Sequence, residues 1–157
     1  MTYSLTEGKL KGIEEVVMGC LKMGNIEDIL KKKKTIAVVG LSPKVERDSH
    51  QVAAYLQSQG YRIIPVNPTV DEVLGEKSYP NLSSIPHPVD VANLFRRSEE
   101  VLPLAEEAID IGASVLWMQE GIINEEAAQK AREAGLEVIM DRCMLREHMR
   151  LAAEGKI

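Results

Sequence analysis

The amino-acid sequence predicts an α/β domain: a doubly wound sheet of five parallel strands, with a helical appendage at its N-terminus. Three observations predict it. Five short runs are almost continuously apolar and rich in β-branched residues, as strands buried on both faces must be. Amphipathic segments with helix-start signals separate these runs. Glycines stand just past the expected ends of three of those segments. Strands alternating with helices in this way assemble into a parallel sheet covered on both faces.

The elements follow in order. From Thr6 to about Lys34 the periodicity is helical: Ile13, Val16, Val17, Cys20 and Leu21 make one apolar stripe. Gly24 and Asn25 interrupt it, and Ile26, Ile29 and Leu30 restart a shorter helix. Residues 1–33 are expected as a helical extension packed on the sheet or on a partner chain, and residues 34–157 as the main domain. The first strand is Thr35–Val39, ending at Gly40; the others are Tyr61–Val66, Val89–Phe95, Ser114–Met118 and Leu136–Met140. Asp48 or Ser49 caps a helix running to Ser58, with Gln51 placed to complete a capping box from Asp48. Ser98 precedes Glu99 and Glu100, and Asn124 precedes Glu125 and Glu126, so carboxylates fall where helix N-termini favour them. Gly60, Gly112 and Gly135 take the positions just past the helices.

Composition bounds the function. A chain of 157 residues holds one such domain with one full-sized core. Its apolar fraction of 45% and charged fraction of 27% are those of a globular protein, and with only 4% aromatic residues the core must be aliphatic. A net charge of −5 argues against a general nucleic-acid or membrane-surface binder and leaves an anionic ligand only to a local cluster of donors. No apolar stretch approaches the ~20 residues of a membrane span, and the N-terminus lacks the basic-then-apolar order of a secretory signal. Cys20 and Cys143 make neither a disulfide framework nor a zinc-ligand spacing and suit a reducing cytoplasm.

Ligands of doubly wound sheets bind beyond the carboxyl ends of the strands, where the strand order reverses. The residues just past each strand are therefore the candidates. The Lys31–Lys34 run falls at the opposite rim and reads as a solvated edge. The loop from Gly40 to Ser49 opens a helix whose N–H groups and positive dipole end can receive a phosphate; Ser42 adds a hydroxyl, Lys44 and Arg47 add charge. Gly40 is its only glycine, so it is neither a dinucleotide fingerprint nor a P-loop, and an ordinary strand-to-helix turn is the competing reading. After the second strand, Pro65–Pro68 carries no acid before Asp71, where a nicotinamide dinucleotide site usually holds its ribose. That counts against NAD and admits a ribose bearing a phosphate, although a turn stiffened by Pro68 around Asn67 explains it equally. Arg96 and Arg97 can grip a phosphate or pair with Glu99, Glu100 or Asp90; being consecutive, at most one faces the cleft. Trp117 reads as core more readily than as a stacking platform. Gly121, following Gln119 and Glu120, permits close backbone approach. Cys143 beside Arg142 stands at an expected helix N-terminus, a reactive setting that Asp141 opposes, so a buried inert thiol is the plainer reading. His50 can reach the cleft, whereas His87 and His148 read as surface residues, and none shares a triad or metal-ligand spacing.

In order along the chain, Val39–Ser42 with Arg47–Ser49, Gly60 with Tyr61, Pro65–Pro68, Leu74 and Gly75 with Tyr79, Phe95–Arg97, Trp117–Ile122 and Asp141–Cys143 resemble the small CoA-binding protein family. Those are stand-alone Rossmann-like domains related to the CoA-binding domain of succinyl-CoA synthetase α subunits. The resemblance runs from about Lys34 to Leu151 and implies a coenzyme A site. Gly40, Leu41 and Ser42 with Lys44 and Arg47 would hold phosphates, and Val66, Asn67 and Pro68 would line the adenosine end. Phe95, Arg96, Gln119 and Gly121 would follow the pantetheine arm, and Arg97 and Arg142 complete the candidate set. Glu120–Ile122 matches a Glu-Gly-Ile triplet of the ligase domain, and Asp141–Cys143 stands where that domain has Pro-Asn-Cys. The phosphohistidine domain of the ligases has no counterpart, so binding of CoA or an acyl-CoA without turnover is expected.

Three other readings compete. A nicotinamide-dependent oxidoreductase, using NAD or NADP, rests on the fold alone. A thiol switch would join Cys143 to CoA as a mixed disulfide. An assembly subunit would use the N-terminal helices to dock a second copy or a protein partner.

Overall fold

The computed structural model describes residues 24–157, so the helical stripe expected over Ile13 to Leu21 lies outside the described residues. Helix α1, Ile26–Lys32, is the short helix expected after Gly24. Asn25 caps it by accepting the Asp28 N–H at 3.1 Å, with Glu27 and Asp28 in its first turn and Lys31 and Lys32 in its last, as the helix dipole favours. Ile29 and Leu30 are each 1% exposed, so this helix is seated on the sheet and not standing clear of it. Burial of that completeness contributes roughly 1.5–3 kcal/mol per side chain. Just before it, the Gly24 N–H donates to the Val138 carbonyl at 2.9 Å.

The remaining elements are β1 (Thr35–Val39), α2 (Asp48–Ser58), β2 (Arg62–Val66), β3 (Glu72–Val73), β4 (Glu76–Lys77), β5 (Val91–Leu94), α3 (Val101–Asp110), β6 (Val115–Met118), α4 (Glu125–Glu133), β7 (Glu137–Ile139) and α5 (Met144–Ala153). Five strands form one parallel sheet in the order β2-β1-β5-β6-β7. The chain winds outward from β1 to β2, then crosses back to β5 and continues the other way. The reversal lies between β1 and β5, where Val39 is in register with both Val66 and Leu94. This is the α/β architecture the apolar runs predict.

Alternation along the strands divides the core in two. Val39, Val66, Ala92, Leu94, Leu116 and Met118 face α3 and α4, whose buried stripes are Val101, Ala105 and Ala108, and Ala127, Ala128 and Ala131. Alanine on both helices lets them lie close to the sheet and to each other. On the other face Ile36, Val38, Ile63, Val91, Val115 and Trp117 meet the larger side chains of α1, α2 and α5. Trp117 is fully buried there and its indole N–H donates to the Arg142 carbonyl at 2.8 Å, so it is core, not a stacking platform.

Four details depart from the sequence reading. Arg47, not Asp48 or Ser49, occupies the cap position of α2, with no side-chain capping bond; the Ser49 hydroxyl is taken by the Ser42 N–H instead. Ser98–Glu100 forms a 3-10 turn ahead of α3, whereas Asn124 caps α4 as expected, accepting the Ala127 N–H at 2.9 Å. A tight hairpin, β3–β4, fills the connection after β2; Leu74 and Gly75 both have positive φ, 56° and 75°, as a type I′ turn requires. His148 is not a surface residue. It is 7% exposed, its Nδ1 lies 2.8 Å from the Tyr55 hydroxyl, and it packs edge-on against Tyr55 and Tyr61. Burial, with the Lys34 ammonium nearby, holds its pKa below the usual histidine value, and burial pushes that of Tyr61 up to about 12. No helix among the described residues is long and apolar enough to cross a membrane.

Candidate functional site

The carboxyl ends of β1 and β5 meet at Gly40. The Phe95 N–H donates to the Val39 carbonyl and the Gly40 N–H to the Val66 carbonyl, each at 2.9 Å, so three strand ends are stitched together at one point. Gly40 has φ +86°, and a Cβ there would stand 2.6 Å from the Phe95 carbonyl oxygen. Only glycine fits this turn. The chain then folds back through a compact loop. The Lys44 N–H donates to the Ser42 hydroxyl at 3.1 Å, and His50 Nδ1 lies 2.9 Å from the Ser42 carbonyl. Asn67 fixes this loop from the next strand: its Nδ2 donates to the Leu41 carbonyl at 2.9 Å, while its Oδ1 accepts from the Thr69 N–H and hydroxyl at 2.9 and 2.7 Å.

Three adjoining cavities run along this edge. The first, about 170 Å³, lies beyond β2 and β1 and is lined among others by Val66, Asn67, Pro68, Asn81, Arg96 and Glu107. The second, about 540 Å³, opens over the first loop and the start of α2 and takes Ser42, Lys44, Arg47, Asp48, Thr69 and Phe95. The third, about 350 Å³, lies beyond β5 and β6 between α2 and α5 and takes Gln51, Val52, Phe95, Gln119, Ile122 and Cys143. Gly40, Ser42 and Asn67 are shared by the first two, Asp48 and Phe95 by the last two, so the three make one trough.

The sequence candidates distribute along it unequally. Gly40, Ser42, Lys44, Arg47, Val66, Asn67, Pro68, Phe95, Arg96 and Gln119 all line the trough. Arg96 sits in the first cavity beside Val66–Pro68, away from Gln119, and also approaches Glu100 at 4.0 Å. The Leu41 side chain is fully buried in the core, and only its carbonyl takes part, through Asn67. Arg97 lines none of the three cavities; its N–H donates to Glu100 at 3.2 Å. Gly121 and Arg142 likewise stand off the trough, Gly121 held by Asp141 at 2.7 Å and Arg142 turned toward Asp141 and Glu147. The Lys31–Lys34 run is at the other rim, with the Lys34 N–H bonded to Asp90 ahead of β5.

Several residues of the trough were not among the site candidates read from the sequence. Thr69, Asn81 and Glu107 join the first two cavities, and Gln51, Val52, Leu145 and Arg146 join the third, where Arg146 pairs with Glu120 at 2.7 Å. They come from helix faces and from a connection whose hairpin has no periodic signal. Beneath the third cavity, fully buried Asn93 accepts from Gln119 Nε2 at 2.7 Å. An asparagine inside an otherwise apolar strand is the signal that could have found this pair. Among the described residues no cluster of histidine, cysteine, aspartate and glutamate is placed to hold a metal ion.

The chain matches a CoA binding domain family over residues 34–149. Uncharacterized protein YneT of Bacillus subtilis is 50% identical over 123 residues, covering 78% of this chain and 91% of that protein. A protein of Pyrococcus horikoshii superposes with a TM-score of 0.79 at 47% identity, covering 81% of this chain and 89% of the other. The dinucleotide-forming acetyl-coenzyme A synthetase 1 of Candidatus Korarchaeum cryptofilum superposes with a TM-score of 0.64 at 28% identity, over 73% of this chain but 27% of that enzyme. With the family matched across most of the chain and a half-identical relative covered along nearly its whole length, this protein belongs to the CoA-binding domain family.

Proposed function

We propose that the trough binds coenzyme A or an acyl-CoA. The adenosine lies in the first cavity, the phosphates over the loop from Gly40 to Asp48, and the pantetheine arm in the third cavity. The observation that carries this reading is the change of chemistry along one continuous groove. Its middle offers two cations, Lys44 and Arg47, and the N-terminal turn of the 11-residue α2, whose N–H groups and dipole favour an anion. Its first end offers Val66, Pro68 and Leu104 to a flat base, with Arg96 for an added phosphate. At its far end Phe95, Val52 and Ile122 supply apolar walls and Gln119 a buried amide, which suits an arm of alternating methylene and amide groups.

The end of β2 favours CoA over NAD. Asn67 is committed to Leu41 and Thr69, and the acid nearest in sequence, Asp71, lines none of the cavities. Glu107 does line the first cavity, but it accepts from the Ser83 hydroxyl and shares that cavity with Arg96. The protein's role in this reading is capture of the ligand in the cytoplasm without turnover. Titration calorimetry with CoA, dephospho-CoA, NAD and NADP tests it. Tightest binding is expected for CoA, with loss of affinity for dephospho-CoA and weaker binding as salt rises. Tighter binding of NAD than of CoA would overturn it.

A further inference from the structure

Among the thiol, charge and cavity features of the fold, one is left without a role by simple capture: Cys143 opens on the far end of the trough. It is half-buried, forms the cap position of the ten-residue α5 without a side-chain capping bond, and lines the third cavity with Phe95, Gln119 and Ile122. A second observation points to a ligand in the same cavity. Gln119 is 3% exposed, and its Nε2 is spent on Asn93. Its Oε1 has no partner among the described residues. Among the described residues only Arg132 Nε is both sealed from solvent and unpartnered, so Gln119 Oε1 is reached by solvent, and Gln119 lines the third cavity. An acceptor open on this cavity can take an N–H donor of an incoming ligand.

We propose that Cys143 is a site of thiol–disulfide exchange with CoA disulfide. The inference rests on the CoA reading of the trough and goes beyond it. One CoA half occupies the trough, an amide N–H of its pantetheine arm donating to Gln119 Oε1, which brings the disulfide to Cys143. The Cys143 thiol loses its proton to solvent and its sulfur attacks the nearer sulfur of the CoA disulfide. The bond between the two CoA sulfurs breaks as the bond between Cys143 and CoA forms. The second CoA leaves as a thiolate and is protonated from solvent. Cys143 is oxidised, one CoA is reduced, and the oxidant is the CoA disulfide itself. The product is a ligand fixed covalently in its own site, and reduction by a small thiol releases it.

The full chain is incubated with CoA disulfide and, separately, with glutathione disulfide at equal concentration, then followed by intact mass and peptide mapping, because Cys20 offers a second thiol. A single CoA adduct on the peptide containing Cys143 is expected, reversed by dithiothreitol. It should form at least about tenfold faster than the glutathione adduct, since binding positions only the CoA disulfide. Cys143→Ser should abolish the adduct. No adduct at Cys143, or equal rates with the two disulfides, in a protein that binds CoA overturns the exchange and leaves the binding reading standing. If calorimetry shows no CoA binding, the binding reading fails and the exchange fails with it.

Discussion

Gly40 and the carbonyl of Phe95 leave no room for a side chain between them: a Cβ on Gly40 would stand 2.6 Å from that oxygen. The loops leaving β1 and β5 therefore close on each other backbone to backbone at the reversal point of the sheet, and the trough takes its shape from that contact. Gly40→Ala places a side chain in the left-handed region and against a carbonyl at once. The expected cost is about 2 kcal/mol or more, with loss of CoA binding even where the variant stays folded. A urea-unfolding midpoint at unchanged slope, paired with calorimetry, measures both.

Asn67 ties three backbone or hydroxyl groups of two neighbouring loops together. Asn67→Ala removes them and strands the Leu41 carbonyl. A loss of roughly 1–3 kcal/mol in stability is expected, together with weaker CoA binding, because the loop that presents Ser42 and Lys44 is no longer held. Thermal unfolding of the free protein separates the first effect from the second.

Arg47 and Arg97 look alike in the sequence and differ in place. Arg47 lines the middle of the trough, and Arg97 lines none of its cavities. Arg47→Ala should weaken CoA by about 1–3 kcal/mol, the worth of a charge-assisted bond, and flatten the salt dependence of binding. Arg97→Ala should leave both unchanged. Calorimetric titrations at two ionic strengths distinguish them.

His148 gives the fold a pH dependence. Burial first, then the Lys34 ammonium, keep its folded pKa below the unfolded value of 6.5, so the unfolded chain takes up the proton more readily. Its contribution to stability is full above pH 6.5 and is lost as the pH falls through the lower, folded pKa. Melting temperature should drop on acidification from that pH downward, and the drop should be shallower in His148→Gln. Scanning calorimetry across the acid range reads the difference.

Much of this was legible in the residues because parallel strands are buried on both faces and so appear as bare apolar runs. Val91–Leu94 and Val115–Met118 needed no partner information to be found. Most of the candidate site followed from the strand ends alone, since the fold brings those ends to one rim. What escaped depended on tertiary contact. A two-residue strand such as Glu72–Val73 has no period, and Leu74 in a left-handed conformation is held by Gln57 from α2, 17 positions away. Asp48 falls inside α2, one position past the cap that Arg47 occupies, and the Ser49 hydroxyl is taken by the Ser42 N–H. His148 was readable in principle: it falls on one helical stripe with Met144 and Leu151, the buried face of α5. Which of Arg96 and Arg97 faces the groove was fixed only by the turn that follows β5.

Backbone amide chemical shifts of the isotope-labelled protein, recorded with and without saturating CoA, test the central claim most directly. The expected perturbations fall on Gly40 to Asp48, Asn67 to Thr69, Phe95 and Arg96, Gln119 to Ile122, and Cys143 to Arg146. Perturbations centred on Lys31–Lys34 at the opposite rim, or none at all with CoA in excess, would contradict it.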